Sequence, residues 1–118
     1  MVNVQSQNVI DGVPVHEPDG AIDITNSVDL RERMLTQTED GARAIVLDMS
    51  SVRYVDSSGL SALVSVATAL EKKNGSLILC DVDPAVLKVL EMTRLTEYFE
   101  MVATRAAALE RASAVSPA

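Results

Sequence analysis

The residues best suited to chemistry form the segment 56–59, Asp-Ser-Ser-Gly, which joins a predicted strand to the start of a predicted helix. Ser57 and Ser58 fall where the unpaired amides of the helix N-terminus point outward, and such amides can receive a phosphate group. Phosphorylation would add about −1.5 to −2 charges at pH 7 beside Asp56, which can block an interface by repulsion. Ser and Asp are also ordinary helix caps, so structural capping is the competing interpretation.

Other reactive side chains lack the partners that catalysis requires. His16 is the only histidine and has no Cys or Ser beside it, so we expect an exposed strand residue rather than a metal ligand. Cys80 is the only cysteine and stands in an apolar run, which predicts a buried thiol. Asp48 resembles the phosphoacceptor of receiver domains, but their acidic pocket and later lysine are not apparent. No phosphate-binding glycine loop or nucleophile elbow occurs, so we expect no enzyme, no cofactor and no metal.

The hydrophobic pattern predicts strands that alternate with helices around this segment. Short β-prone pieces flank an Asp-Gly turn signal at 11–12 and predict an opening hairpin. Residues 44–49 and 76–81 are nearly continuous apolar runs, which is typical of strands covered on both faces. Apolar residues recur at helical spacing over 60–70, and the Asn-Gly pair at 74–75 ends that helix.

The remaining pattern completes an α/β fold. Three further helices and a last short strand are predicted at residues 27–38, 84–92 and 104–112 and at residues 98–102. The order β-β-α-β-α-β-α-β-α implies right-handed crossovers and a mixed, mostly parallel sheet with an N-terminal hairpin and about four helices packed on it. We expect a single domain over residues 1–112 and a short flexible C-terminal tail over 113–118.

Composition restricts the partners that the chain could bind. The 118 residues include 17 acids and 10 bases, for a formal net charge of −7, with two Tyr, one Phe and no Trp. Because nucleic acids are bound through clustered bases and stacked aromatic rings, we expect no nucleic-acid partner. Residues 1–50 hold 9 acids and 3 bases (net −6), whereas residues 51–118 hold 8 and 7 (net −1). Neither a signal peptide nor a membrane-spanning run is recognised, so we expect a cytoplasmic protein, by default a monomer.

Taken together, these motifs resemble the STAS domain of bacterial anti-sigma factor antagonists. The resemblance extends from about residue 13 to residue 109 and rests on the segments 20–23, 45–49, 55–60, 74–75 and 83–86. In that family the unphosphorylated antagonist binds an anti-sigma factor that is also a serine kinase of the GHKL type, which frees a sigma factor. Phosphorylation reverses this choice, and a separate serine phosphatase restores the antagonist.

Carried over by motif position, the resemblance implies that Ser57 is the phosphoacceptor. Asp56, Ser58 and Gly59 would take part in the partner contact, together with Asp23 on an adjacent loop. If the fold brings Asp23 beside Ser57, a phosphate there adds charge to a surface that is already negative.

Two other functions stay open at this point. Stand-alone STAS proteins also serve as regulatory subunits of membrane transport ATPases for lipids, and nucleotide binding has been suggested for some family members. The chain also departs from the family pattern after the third helix, because it has Met-Thr-Arg-Leu at 92–95 where a small residue or Gly is usual.

Overall fold

The computed structural model describes residues 6–115, which form a five-stranded sheet, a separate pair of strands and four α-helices. In chain order the elements are β1 (Ser6–Ile10), β2 (Val13–Glu17), β3 (Gly20–Ile22), α1 (Ser27–Glu39), β4 (Ala44–Asp48), β5 (Val52–Val55), α2 (Ser57–Glu71), β6 (Ser76–Cys80), α3 (Pro84–Met92), a 3₁₀ turn (Thr96–Tyr98), β7 (Glu100–Val102) and α4 (Arg105–Val115).

The main sheet has the strand order β1-β2-β4-β6-β7, with β1 antiparallel to β2 and every other pair parallel. The opening hairpin turns at Asp11 and Gly12, which take φ values of 55° and 81° as a two-residue hairpin turn requires. Strand β4 lies at the centre and all five of its residues are buried. The predicted α/β class, the hairpin and the buried central strand are confirmed.

A second, two-stranded sheet is the part of the fold that the sequence pattern did not reveal. Strands β3 and β5 pair in parallel, with Ile22 opposite Val55. The sequence pattern predicted neither of these strands. Strand β5 is only four residues long and its two central side chains, Arg53 and Tyr54, are exposed, so it has no apolar run to indicate a strand. This small sheet carries both segments that contain the predicted site residues.

The two faces of the main sheet bury different clusters. Helices α1, α2 and α3 cover one face and α4 covers the other. The alternation of side chains along a strand divides β4 between them. Ile45 and Leu47 belong to the larger cluster, whereas Val46 packs in the smaller one with Ala108 and Ala112 of α4. Small side chains allow α4 to lie close to the sheet.

Helix α2 ends just before the Asn-Gly pair at 74–75, as the sequence predicts. Asn74 takes a φ of 61°, and the N–H of Gly75 donates to the carbonyl of Leu70 at 2.8 Å. A Cβ at Gly75 would lie 2.1 Å from the carbonyl oxygen of Arg43. Arg94 also takes a left-handed φ of 60° after α3, at the segment where this chain departs from the family pattern.

The position of His16 and the C-terminal end of α4 differ from the predicted structure. His16 was expected to be exposed, but it is fully buried on β2, and its Nε2 lies 2.6 Å from Oε1 of Gln37 on α1. Helix α4 continues to Val115, three residues into the predicted tail, and residues 116–118 lie outside the described part of the chain.

The buried thiol of Cys80 is confirmed, and its burial raises the pKa of the thiol to about 12. Within residues 6–115 no helix is long and apolar enough to cross a membrane.

Candidate functional site

Asp56 is the residue that organises the start of α2. Its backbone is extended, and its Oδ1 accepts hydrogen bonds from the hydroxyl of Ser58 at 2.6 Å and from the N–H of Gly59 at 2.9 Å. The Ser58 hydroxyl, the Gly59 amide and the backbone N–H groups of Ile24 and Ser58 together hold the pKa of Asp56 below its ordinary value. Asp56 is therefore an ionised helix cap whose oxygens are fixed in place.

The two serines at this helix start differ in what their hydroxyls do. Ser58 is half-buried and donates to the Asp56 carboxylate. Ser57 is the first residue of α2 and is exposed, and its hydroxyl makes no hydrogen bond to any residue in the range 6–115. The capping interpretation thus fits Asp56 and Ser58, while Ser57 is left accessible to another molecule.

Gly59 allows α2 to begin directly against the small sheet. A Cβ at this position would lie 2.3 Å from the carbonyl oxygen of Ile22 and 2.8 Å from Cγ1 of Val55. The N–H of Asp56 donates to that same Ile22 carbonyl at 3.2 Å. Gly59 is buried, so any influence of this residue on a partner acts through the position of the helix start.

The loop that carries Asp23 lies at the same end of the small sheet. Because Ile22 is paired with Val55 in a parallel ladder, Asp23 and Asp56 both follow a paired residue at one edge. The Asp23 carboxylate accepts from the N–H and the hydroxyl of Thr25, at 3.0 and 2.5 Å. The structure therefore brings the predicted site residues of both segments together.

Asn26 stabilises the loop that carries Asp23. It precedes α1, but its side chain makes no capping hydrogen bond. Its Oδ1 accepts from the N–H of Asp23 at 2.9 Å, and its Nδ2 donates to the carbonyl of Ala21 at 2.7 Å. The side chain of Asn26 thus replaces a backbone partner and holds the Asp23 turn in one conformation.

Arg105 also supports this region, although the sequence pattern did not indicate a role for it. From the first turn of α4 it donates to Asp48 at 2.9 Å and to Glu17 at 2.8 Å, which are the last residues of β4 and β2. From those two strand ends the chain continues into β5 and β3. Hydrogen bonds from Ser50 and ion pairing with Arg105 outweigh desolvation and lower the pKa of Asp48. Arg105 therefore ties together the points from which the small sheet departs.

A group of potential metal ligands lies nearby but suits a cation poorly. Ligand atoms of Asp48, Cys80 and Asp81 lie within 4.8 Å of one another. The Asp48 carboxylate is already paired with Arg105, and the raised pKa of Cys80 keeps its thiol protonated. Two of the three donors are thus engaged in the fold or protonated.

A mixed sheet with an opening hairpin, four helices and an Asp-capped helix start after a short parallel pair defines a STAS domain. The STAS domain family model matches residues 5–108, and the chain belongs to this family, which confirms the resemblance noted in the sequence.

The most informative relatives are regulators of sigma factors by name. BtrV of Bordetella bronchiseptica, named as a candidate anti-sigma factor antagonist, is 31% identical over 99 residues, which cover 84% of this chain and 85% of BtrV. An anti-sigma factor antagonist from Mycobacterium paratuberculosis is 26% identical, with a TM-score of 0.82 and 95% of each chain covered. The phosphorylated form of the Bacillus cell fate determinant SpoIIAA shares the fold, with a TM-score of 0.73 at 23% identity, over 92% of this chain and 98% of SpoIIAA.

Proposed function

We propose that the protein is an anti-sigma factor antagonist whose binding is switched off by phosphorylation of Ser57. Its partner would be an anti-sigma factor that is also a serine kinase of the GHKL type, so that binding of the unphosphorylated protein releases a sigma factor. A serine phosphatase would restore the binding form. In this role the protein would act as a cytoplasmic monomer without catalysis of its own.

The observation that carries the proposal is the difference between the two serine hydroxyls. Ser57 is exposed and has no hydrogen bond within the described chain, whereas Ser58 donates to Asp56 at 2.6 Å. A kinase can reach the Ser57 hydroxyl without breaking a side-chain hydrogen bond of the described chain. Phosphorylation of Ser58 would remove a hydrogen bond that holds the helix cap and would place a phosphate against a carboxylate.

The chemical step is a phosphoryl transfer carried out by the partner. The Ser57 oxygen forms a bond to the γ-phosphorus of ATP, the bond to the bridging β,γ-oxygen breaks, ADP leaves, and the hydroxyl proton passes to a base of the kinase. The product adds about −1.5 to −2 charges at pH 7. This charge appears beside the ionised Asp56 and near Asp23, so we expect repulsion and desolvation to block docking while the fold stays intact.

Two variants and one control test this proposal. The Ser57→Ala, Ser57→Asp and Ser58→Ala proteins are incubated with ATP and each GHKL kinase of the source organism, and binding is measured by calorimetry. We expect Ser57→Ala to bind without being phosphorylated and Ser57→Asp to lose at least tenfold in affinity. Ser58→Ala keeps the acceptor hydroxyl, so mass spectrometry should still find its phosphate on Ser57.

Two results would contradict the proposal. A phosphate located on Ser58 of the wild-type protein would show that the wrong hydroxyl was chosen. Equal affinities of the Ser57→Ala and Ser57→Asp proteins would show that charge at this position does not control binding.

A further inference from the structure

Two aliphatic side chains in the loop and first turn that follow β3 are exposed without a role in the fold. Ile24 is 77% exposed and Val28 is 57% exposed. Isolated exposed apolar residues are common on protein surfaces. Here, however, the two lie close together in sequence and at the end of the small sheet that holds Asp23 and Asp56.

The backbone places Ile24 directly beside the phosphoacceptor segment. Its backbone N–H is near enough to the Asp56 carboxylate, which caps α2, to help lower the pKa of that carboxylate. In the parallel ladder Ile22 lies opposite Val55, so Ile24 comes two residues after this pair on one strand and Ser57 comes two residues after it on the other. The exposed Ile24 side chain and the exposed Ser57 therefore belong to one continuous surface.

The charges around these two side chains have one predominant sign. Asp23 precedes Ile24, Asp56 follows the strand paired with the one that precedes Ile24, and Asp29 follows Val28. Asp29 forms an exposed ion pair with Arg33 at 2.9 Å, which leaves Asp23 and Asp56 as the acidic border of the apolar pair. An apolar centre inside a charged rim is the usual anatomy of a protein interface. The complementary surface would be an apolar pocket bordered by Lys or Arg.

We propose that Ile24 and Val28 form an apolar anchor through which the anti-sigma factor binds this protein. The partner would hold the anchor in an apolar pocket with a basic rim. Docking then depends on the anchor, and phosphorylation at Ser57 opposes docking from the rim. This inference rests on the proposed function and adds the residues that supply the binding energy.

The test uses variants in a Ser57→Ala background, so that phosphorylation cannot change during the measurement. Ile24→Ala and Val28→Ala remove only exposed apolar area, and Val9→Ala, 67% exposed on the hairpin strand β1, is the matched control. Calorimetry with the anti-sigma factor should show a roughly 10- to 100-fold weaker complex for Ile24→Ala, in the range of interface hot spots. Val28→Ala should lose less, and Val9→Ala should stay within about twofold of its parent.

The possible outcomes separate the anchor from the function on which it rests. If the Ser57→Ala parent binds and Ile24→Ala binds equally well, the anchor is overturned and the proposed function stands. If the parent binds no anti-sigma factor, both fail. Sedimentation velocity tests whether these side chains instead contact a second copy of the chain. A dimer of the parent protein that dissociates in the Ile24→Ala variant would overturn the proposal.

Discussion

The two ends of helix α2 use the same packing device but leave different groups exposed. At each end a glycine faces a backbone carbonyl, since a Cβ would lie 2.3 Å from the oxygen of Ile22 at Gly59 and 2.1 Å from that of Arg43 at Gly75. At the C-terminal end the polar groups bond within the chain, as when Lys73 Nζ donates to the Thr38 carbonyl at 2.6 Å.

At the N-terminal end the cap is satisfied but one hydroxyl is not. Asp56 receives its donors from Ser58 and Gly59, whereas Ser57 faces outward. A rigidly fixed helix start that keeps one exposed acceptor group can be modified without disturbing the core. The comparison shows that close packing positions both ends and that the unsatisfied, exposed group distinguishes the candidate site.

The largest expected effect comes from replacing either glycine by alanine. Because the added methyl group meets backbone atoms that cannot rotate away, Gly59→Ala and Gly75→Ala should each lower the free energy of unfolding by about 3 kcal/mol, at the upper end of overpacking substitutions. Urea unfolding followed by circular dichroism measures this loss for both proteins.

The same pair of variants separates position from stability. At a temperature where both are folded, Gly59→Ala should slow phosphorylation of Ser57, since the helix start must shift away from Ile22. Gly75→Ala should be phosphorylated at the wild-type rate. Equal rates for the two variants would mean that the acceptor does not depend on close packing of the N-terminal end.

A smaller loss of stability is expected from replacing either of two arginines of α4, which pair with carboxylates that differ in burial. Arg105 binds Asp48, whose side chain is only 7% exposed, while Arg111 pairs with the half-buried Glu100 at the edge strand β7. Arg105→Ala leaves a buried carboxylate without its counter-ion and should cost about 2 kcal/mol. Arg111→Ala removes a more exposed pair and should cost measurably less than Arg105→Ala.

Hydrogen exchange shows whether Arg105 also supports the site. The amides of Gly20 and Asp56 donate to Ser51 and Ile22 across the small sheet. We expect Arg105→Ala to speed exchange at both amides and Arg111→Ala to leave them unchanged. Unchanged exchange in both variants would restrict Arg105 to anchoring α4 on the main sheet.

The parts of the fold that could be predicted from sequence are those whose signal is local. Strands β4 and β6 are uninterrupted apolar runs, α2 has a full apolar stripe, and the Asn-Gly pair at 74–75 marks its end. The Asp-Ser-Ser-Gly segment at 56–59 also carries its own capping chemistry, so the location of the candidate site could be predicted together with the helix.

The parts that could not be predicted depend on residues distant in sequence. Gly59 is required by the close approach of the Ile22 carbonyl, and the role of Arg105 depends on hydrogen bonds to strand ends 57 and 88 residues earlier in the chain. His16 has polar neighbours, yet Gln37, 21 residues later, makes its burial possible. In each case the local pattern is weak and tertiary contacts decide the conformation.

The smallest expected effect is a pH-dependent change in stability caused by the buried His16. This change should affect the free energy of unfolding and not partner binding at the start of α2. Burial lowers its pKa, and the nearby charge of Arg33 acts in the same direction. Between this lowered pKa and the ordinary value near 6.5, the unfolded chain binds more protons than the folded one, so stability is complete above pH 6.5 and falls as the pH decreases. Urea unfolding should show a loss below about 1 kcal/mol from pH 7 to pH 6.

His16→Gln is the control for this measurement, because it removes the only histidine and keeps a side chain that can bond to Gln37. Its stability should be flat over the same pH range. Asp56 stays ionised there because its pKa is lowered, so binding to the partner through the α2 N-terminus should not follow the loss of stability. A pH slope that persists in His16→Gln would place the titrating group elsewhere and remove the distinction between interior and site.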